Sequence, residues 1–231
     1  MIIDTHIHLY DEAYKNLEQV LHEATIVGVK NMIVVGYDYH SSKKAIALAN
    51  KYEDLYASVG LHPSEIKKKE DLNWVRELIK EPKVVAVGEI GLDYYWDRTH
   101  EEFQRELFFQ QLEIAEEANL PVIIHSREAA LDTLNILKKK PIPGVMHCFA
   151  YSLEMAREFI KLGYYLGIGG VLTFKNSKKL KEVVQETPLE HLLSETDGPY
   201  LAPHPFRGKV NRPAYLPYII EAISEIKNID I

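Results

Sequence analysis

Eight short runs of β-branched and other apolar residues recur along this chain, at Ile2-Ile3, Met32 to Val35, Leu55 to Val59, Val84 to Val87, Val122 to Ile124, Val145-Met146, Tyr164 to Ile168 and Leu192-Leu193. Longer stretches of helical spacing separate them. Phe103, Leu107, Phe108, Leu112 and Ala115, for example, fall at offsets that make one apolar helix face. Such alternation predicts parallel strands joined by right-handed crossovers, and eight units are the number that closes into a (β/α)8 TIM-like barrel with helices outside. A doubly wound open sheet is the competing layout. It would need a Gly-rich phosphate loop after the first strand, and Asp4-Thr-His-Ile-His-Leu9 stands there instead.

A length of 231 residues suits one such barrel, so a single catalytic domain over residues 1–231 is expected. The last helix should start near Pro213, with Leu216, Ile219, Ile220 and Ile223 inward and Pro217 in its first turn. Ile231 follows soon after, which predicts a thin closing layer or a shortened C-terminal end. Hydrophobic residues at 46% can fill a core, and the net charge of −7 excludes a broad basic surface for nucleic acid, so an anionic substrate would need local cations. Cys148 is the lone cysteine, which rules out an intrachain disulfide and a Cys-rich zinc site and fits a reducing, cytoplasmic setting. No apolar run reaches membrane-spanning length, and no basic-then-apolar leader opens the chain.

Five of the ten histidines fall at strand ends: His6 and His8 on the first, His62 on the third, His125 on the fifth and His147 on the sixth. In a parallel barrel all of these ends open onto one rim, so residues distant in sequence gather around one cavity. His6 and His8, two apart in extended chain, point the same way and can close on one ion. Glu89, at the mouth of the fourth strand, can bridge two cations as an imidazole cannot, and Asp197, at the end of the eighth, can bind metal and take a proton from water. His6, His8, Glu89, His125, His147 and Asp197 are therefore the candidate metal ligands. His62 stays outside that set, either contacting substrate or stiffening the loop before Pro63. Arg127 and the stretch Phe206-Arg207-Gly-Lys209 put cations beside the site, and the bidentate guanidinium suits phosphate oxygens.

The remaining features have ordinary readings. Asp93 is expected in a loop or helix cap, and Cys148 in the core facing the helices rather than acting as a nucleophile. His22, His40, His100, His191 and His204 are expected at the surface. Lys67 to Lys69 and Lys138 to Lys140 read as solvated helix edges.

The motifs Asp4-Thr-His-Ile-His-Leu9, Gly60-Leu-His-Pro63, Gly88-Glu-Ile-Gly-Leu-Asp-Tyr-Tyr95, Pro121-Val-Ile-Ile-His-Ser-Arg127, His147-Cys-Phe149, Glu195-Thr-Asp-Gly-Pro-Tyr-Leu201 and Arg207-Gly-Lys-Val-Asn-Arg-Pro213 resemble, in order, those of the TatD family of metal-dependent deoxyribonucleases. The resemblance spans nearly the whole chain, departing at Gly198, where the family often has a small polar residue, and in the short C-terminal end. It implies two divalent cations, Mg²⁺, Mn²⁺ or Zn²⁺, one held by His6, His8, Glu89 and Asp197 and the other by Glu89, His125 and His147. It also implies DNA as substrate, trimmed from a 3′ end.

The chemistry expected from the residues is phosphodiester hydrolysis with Asp197 as general base, Glu89 as the shared ligand, and Arg207 and Arg127 steadying the anion. An amidohydrolase or lactonase acting on a carbonyl centre is the alternative. Many such barrels bridge their ions with a carboxylated lysine, and here Glu89 takes that place. A metal-binding scaffold without turnover is a third reading, disfavoured by retention of Asp197 with the full ligand set.

Overall fold

The structure is a computed structural model that describes residues 2–230. Strands β1 (Ile2–Ile7), β2 (Val29–Val35), β3 (Leu55–Val59), β4 (Val84–Asp93), β5 (Val122–Arg127), β6 (Gly144–Met146), β7 (Tyr165–Ile168) and β8 (Leu192–Ser194) pair in parallel and in chain order. Helices α1 (Leu17–Ile26), α2 (Tyr39–Lys51), α3 (Asn73–Leu78), α4 (Glu101–Ala118), α5 (Ala130–Lys139), α6 (Leu153–Lys161) and α7 (Lys178–Glu186) fill the crossovers, and α8 (Leu216–Lys227) follows β8. The ring closes just beyond β8, where the His8 N–H donates to the Gly198 carbonyl at 2.8 Å and the Asp197 N–H to the His6 carbonyl at 2.9 Å. This is the expected (β/α)8 barrel.

Side-chain pattern and local signals agree with these elements. The Asp38 carboxylate accepts the Ser41 N–H at 2.6 Å to start α2, while Asn119 and Asn228, both left-handed, end α4 and α8. The inner face of α4 is Leu107, Phe108, Leu112, Ile114 and Ala115, all buried. Phe103, expected on that face, lies one turn too early to reach the sheet and instead stacks on His100 at the surface. Leu216, Ile219 and Ile223 of α8 are buried, with Ile220 only partly covered, and α8 packs on α7 and on the turn after β7. Among the described residues no helix is long and apolar enough to cross a membrane.

β4 runs longer than its apolar core suggests. It continues through Glu89 to Asp93, pairing Gly91 with His125 and Asp93 with Arg127 on β5. Gly91 makes this possible: at φ +143° a Cβ there would collide with the His125 carbonyl oxygen. Asp93 is consequently a strand residue, not the loop or cap residue expected from sequence.

Candidate metal centre

The Glu89 carboxylate, 5% exposed, sits at the middle of the rim. Its Oε1 lies 2.9 Å from His125 Nδ1, 3.5 Å from His62 Nε2 and 3.7 Å from His147 Nε2, and its Oε2 lies 3.5 Å from His6 Nε2. The Oδ1 of Asp197 lies 3.7 Å from His8 Nε2 and 3.9 Å from both His6 Nε2 and His147 Nε2. All six candidate ligands are therefore brought together from β1, β4, β5, β6 and β8. Most of them, with His62, line one open cleft of ≈ 320 Å³.

A further layer holds the rings. His8 Nδ1 lies 2.8 Å from the Val35 carbonyl, His125 Nε2 2.9 Å from Asp93 Oδ2, and His147 Nδ1 2.9 Å from Glu195 Oε1. For His8 and His125 the nitrogen turned away from the cleft is hydrogen-bonded, which orients the ring, and His147 Nδ1 is held at ion-pair distance by Glu195; each leaves its other nitrogen toward the cleft. Asp4 pins the far side of the rim, accepting the Thr196 N–H at 2.9 Å and its hydroxyl at 2.6 Å. Burial, only partly opposed by these bonds, pushes the Asp4 carboxyl up to about 7.

Sequence reasoning missed Asp93 and Glu195 as positioning residues. Asp93 stands four after Glu89, which in an extended strand means the same face, and that signal was legible once the strand was continued past Gly91. Glu195 had only its place two residues before Asp197.

Cys148 also differs from expectation. β6 ends at Met146, and Cys148 takes a left-handed backbone at φ +45°, so strand alternation no longer governs its direction. Its sulfur falls within 4.8 Å of ligand atoms of His147 and Asp197 instead of among the helices. Burial first, then the charges of Asp197 and Glu195, pushes its thiol up, which keeps it protonated and a poor nucleophile.

The cluster's electrostatics favour cations. Burial alone would raise Glu89, but the ring of histidines about it, above all the positively charged His147 and the bond from His125, holds it well below the usual carboxylate range. Burial likewise opposes ionisation of Asp197, and His147 and His8 more than offset it. Burial would pull His147 down, yet Glu195, Glu89 and Asp197 raise it to about 10. His8 and His125 are raised against burial in the same way, by Asp197 and by Asp93 with Glu89. Buried acids thus demand positive charge, supplied here by protons on rings whose geometry also suits metal ions. His6, held neutral by burial and by the charge of His147, is fully buried with neither ring nitrogen hydrogen-bonded. A cation is the natural partner for the unprotonated one of those nitrogens.

Groups able to hold an ion are His6 with His8 and Glu89, His62 with Glu89 and His125, His147 with Cys148 and Asp197, and His6 with His147 and Glu195. Glu89 serves two of them. His62, expected only at the substrate or loop, lies among the ligand atoms, its Nδ1 accepting the Ser64 N–H at 3.1 Å while Nε2 faces Glu89. No group among the described residues includes His22, His40, His100, His191 or His204. Arg127, exposed at the end of β5, stacks on Tyr95 with 3.7 Å from guanidinium carbon to ring centre. Arg207 does not join the cleft: its guanidinium lies 4.4 Å over the Phe174 ring, which draws it to the outer rim near β7.

An ion-binding cluster at the C-terminal mouth of a (β/α)8 barrel, with an acid poised beside it, defines a metal-dependent hydrolase. More particularly, the chain belongs to the TatD related DNase family, whose family model matches residues 3–231. It is 47% identical to the uncharacterized metal-dependent hydrolase YabD of Bacillus subtilis (strain 168), over 98% of this chain and 91% of that protein. It is 35% identical to the uncharacterized metal-dependent hydrolase YcfH of Escherichia coli (strain K12), over 100% of this chain and 89% of the relative. The crystal structure of YJJV, a TatD homolog from Escherichia coli K12, superposes with a TM-score of 0.93 at 36% identity, covering 97% of this chain and 90% of that one.

Proposed function

We propose that this hydrolase cleaves phosphodiester bonds in DNA, removing nucleotides from a 3′ end, with two divalent cations held by His6, His8, Glu89, His125, His147 and Asp197. The observation that carries the reading is the Glu89 carboxylate, with four imidazoles within 3.7 Å of its two oxygens. A carboxylate so placed suits a shared ligand, and the family's description as DNase-related supports the substrate. Bound cations would withdraw charge from the phosphoryl oxygens and acidify water.

The chain's own groups do the rest. Asp197, kept ionised by its histidine neighbours, is the general base that accepts the proton of the attacking water at Oδ1. Glu89, kept ionised likewise, contributes charge at the centre of the cleft. Arg127, two residues beyond His125 and exposed just outside the cleft lining, reaches in to a phosphate oxygen, and His62 lines the cleft with its Nε2 toward Glu89. Arg207, held over Phe174 outside the cleft lining, would meet the strand beyond the cleft. Imidazole-rich ligation suits Zn²⁺ or Mn²⁺ better than Mg²⁺. The lone cysteine fits a cytoplasmic setting.

Comparing hydrolysis of bis(p-nitrophenyl) phosphate with that of amide and lactone substrates, before and after chelation, separates this reading from an amidohydrolase or lactonase. Single-stranded DNA labelled at the 5′ or the 3′ end then reports polarity. Turnover of the carbonyl substrates with an inert phosphodiester would overturn the proposal.

A further inference from the structure

Two aromatic side chains beside the metal cleft are exposed to a degree that core packing does not explain. Trp96 is 77% exposed and Tyr95 51%, and they meet edge to face with ring centres 4.8 Å apart. They stand two and three residues after Asp93, the carboxylate that holds His125 and ends β4, so the chain leaving that strand carries them to the rim. The Arg127 guanidinium lies against them, 3.7 Å from the Tyr95 centre and 5.6 Å from that of Trp96. Among the described residues neither the indole nor this guanidinium is held by a hydrogen bond or an ion pair. In a chain of net charge −7, an exposed guanidinium free of any carboxylate partner keeps its N–H donors open to an anionic ligand.

Next to the platform lies a hollow of ≈ 330 Å³, with Trp96, Pro63, Ile66 and His100 as its ring-facing walls, Asp93, Asp97, Gln104 and Lys67 as its polar lining, and Ser64 shared with the metal cleft. Its apolar and aromatic walls suit a flat ring, and Lys67 adds a second cation at its edge. Phosphate at the cleft and a planar group a few ångströms away are what a nucleotide presents together.

We propose that Trp96 and Tyr95 form a base-stacking subsite for the strand whose phosphate occupies the metal cleft, with Arg127 bridging platform and backbone. Stacking uses the face common to every base, so the subsite grips single-stranded nucleic acid without regard to sequence. This rests on the phosphodiesterase reading above and adds a grip on the base to it. Duplex ends would have to fray before engaging, because a paired base cannot offer its face to Trp96.

The chain has two tryptophans, so a Trp74→Phe background leaves Trp96 as the sole indole reporter. Its emission is followed in Zn²⁺ during titration with phosphorothioate-linked oligothymidylate and with an abasic strand of the same length and linkage. The expected result is saturable quenching by the thymidylate only, with Kd about tenfold below that of the abasic strand by competition, in the range that base–aromatic stacking supplies. Trp96→Ala, at an exposed site, should collapse that preference, whereas Arg127→Ala should weaken both strands together. Equal affinity for both strands, in a protein that still cleaves DNA, would overturn the stacking subsite while leaving the phosphodiesterase reading intact. Absence of DNA cleavage together with absence of quenching would overturn both.

Discussion

Glu195 Oε1 lies 2.9 Å from His147 Nδ1 and accepts the Cys148 backbone N–H at 2.6 Å, from a carboxylate with no exposure to solvent. One side chain just past β8 thereby contacts both the ring that follows β6 and the backbone turn beyond it. Outer carboxylates of this kind tune the ligand more than they hold the fold. Glu195→Gln keeps the shape and an acceptor for the Cys148 N–H, so it should fold normally and bind Zn²⁺ about 10–100-fold more weakly in a competing-chelator titration. An unchanged affinity would remove Glu195 from the site.

Asp197 is the group assigned to accept the proton, and its isostere tests that directly. With divalent cation at saturation, Asp197→Asn should lower kcat for bis(p-nitrophenyl) phosphate by about 10²–10⁴-fold, the usual worth of a positioned general base. Equilibrium dialysis must show the metal still bound. Wild-type turnover in a metal-loaded variant would assign the base elsewhere.

The raised pKa of His147 makes the chelated protein sensitive to alkali. With a folded value near 10 against 6.5 unfolded, the proton stabilises the fold fully below pH 6.5, and that contribution is lost as pH climbs to 10. His8 and His125, also raised, act in the same direction. Melting in chelator should therefore fall steeply between pH 6.5 and 10, by about 2–4 °C for each 1 kcal/mol lost. His147→Gln should flatten the slope, and added Zn²⁺ should flatten it too, since the cation replaces the protons. A flat profile for the wild-type chelated protein would contradict the charge balance inferred for the cluster.

Gly91 allows β4 to run beside His125 on β5 at a φ that other residues rarely adopt. Gly91→Ala should cost about 3 kcal/mol or more through backbone strain and displacement of β5, seen as a lowered urea midpoint. Metal affinity should fall with it, because His125 must move. Gly163→Ala, at positive φ but with nothing near its Cβ, should cost less than Gly91→Ala, since only the backbone term remains. Equal costs for the two would mean that the close approach to His125 carries no weight.

By itself the sequence determined the architecture and which candidate ligands share the rim. Periodicity is a local property, and eight strand-like runs alternating with helical segments admit few closed topologies. Once the barrel is set, a His or carboxylate at the end of a run is delivered to one rim by topology alone, which is why His6, His8, Glu89, His125, His147 and Asp197 could be named without coordinates. What depended on through-space contact was decided only by the tertiary structure. Asp93 became a strand residue because Gly91 let two backbones approach, Cys148 turned toward the metal cleft because a left-handed residue broke the alternation, Arg207 was captured by Phe174, and Glu195 found His147 across 48 residues of chain. Periodicity encodes which face a residue takes within its own element; which partner waits there depends on register, loop conformation and packing that no single segment carries.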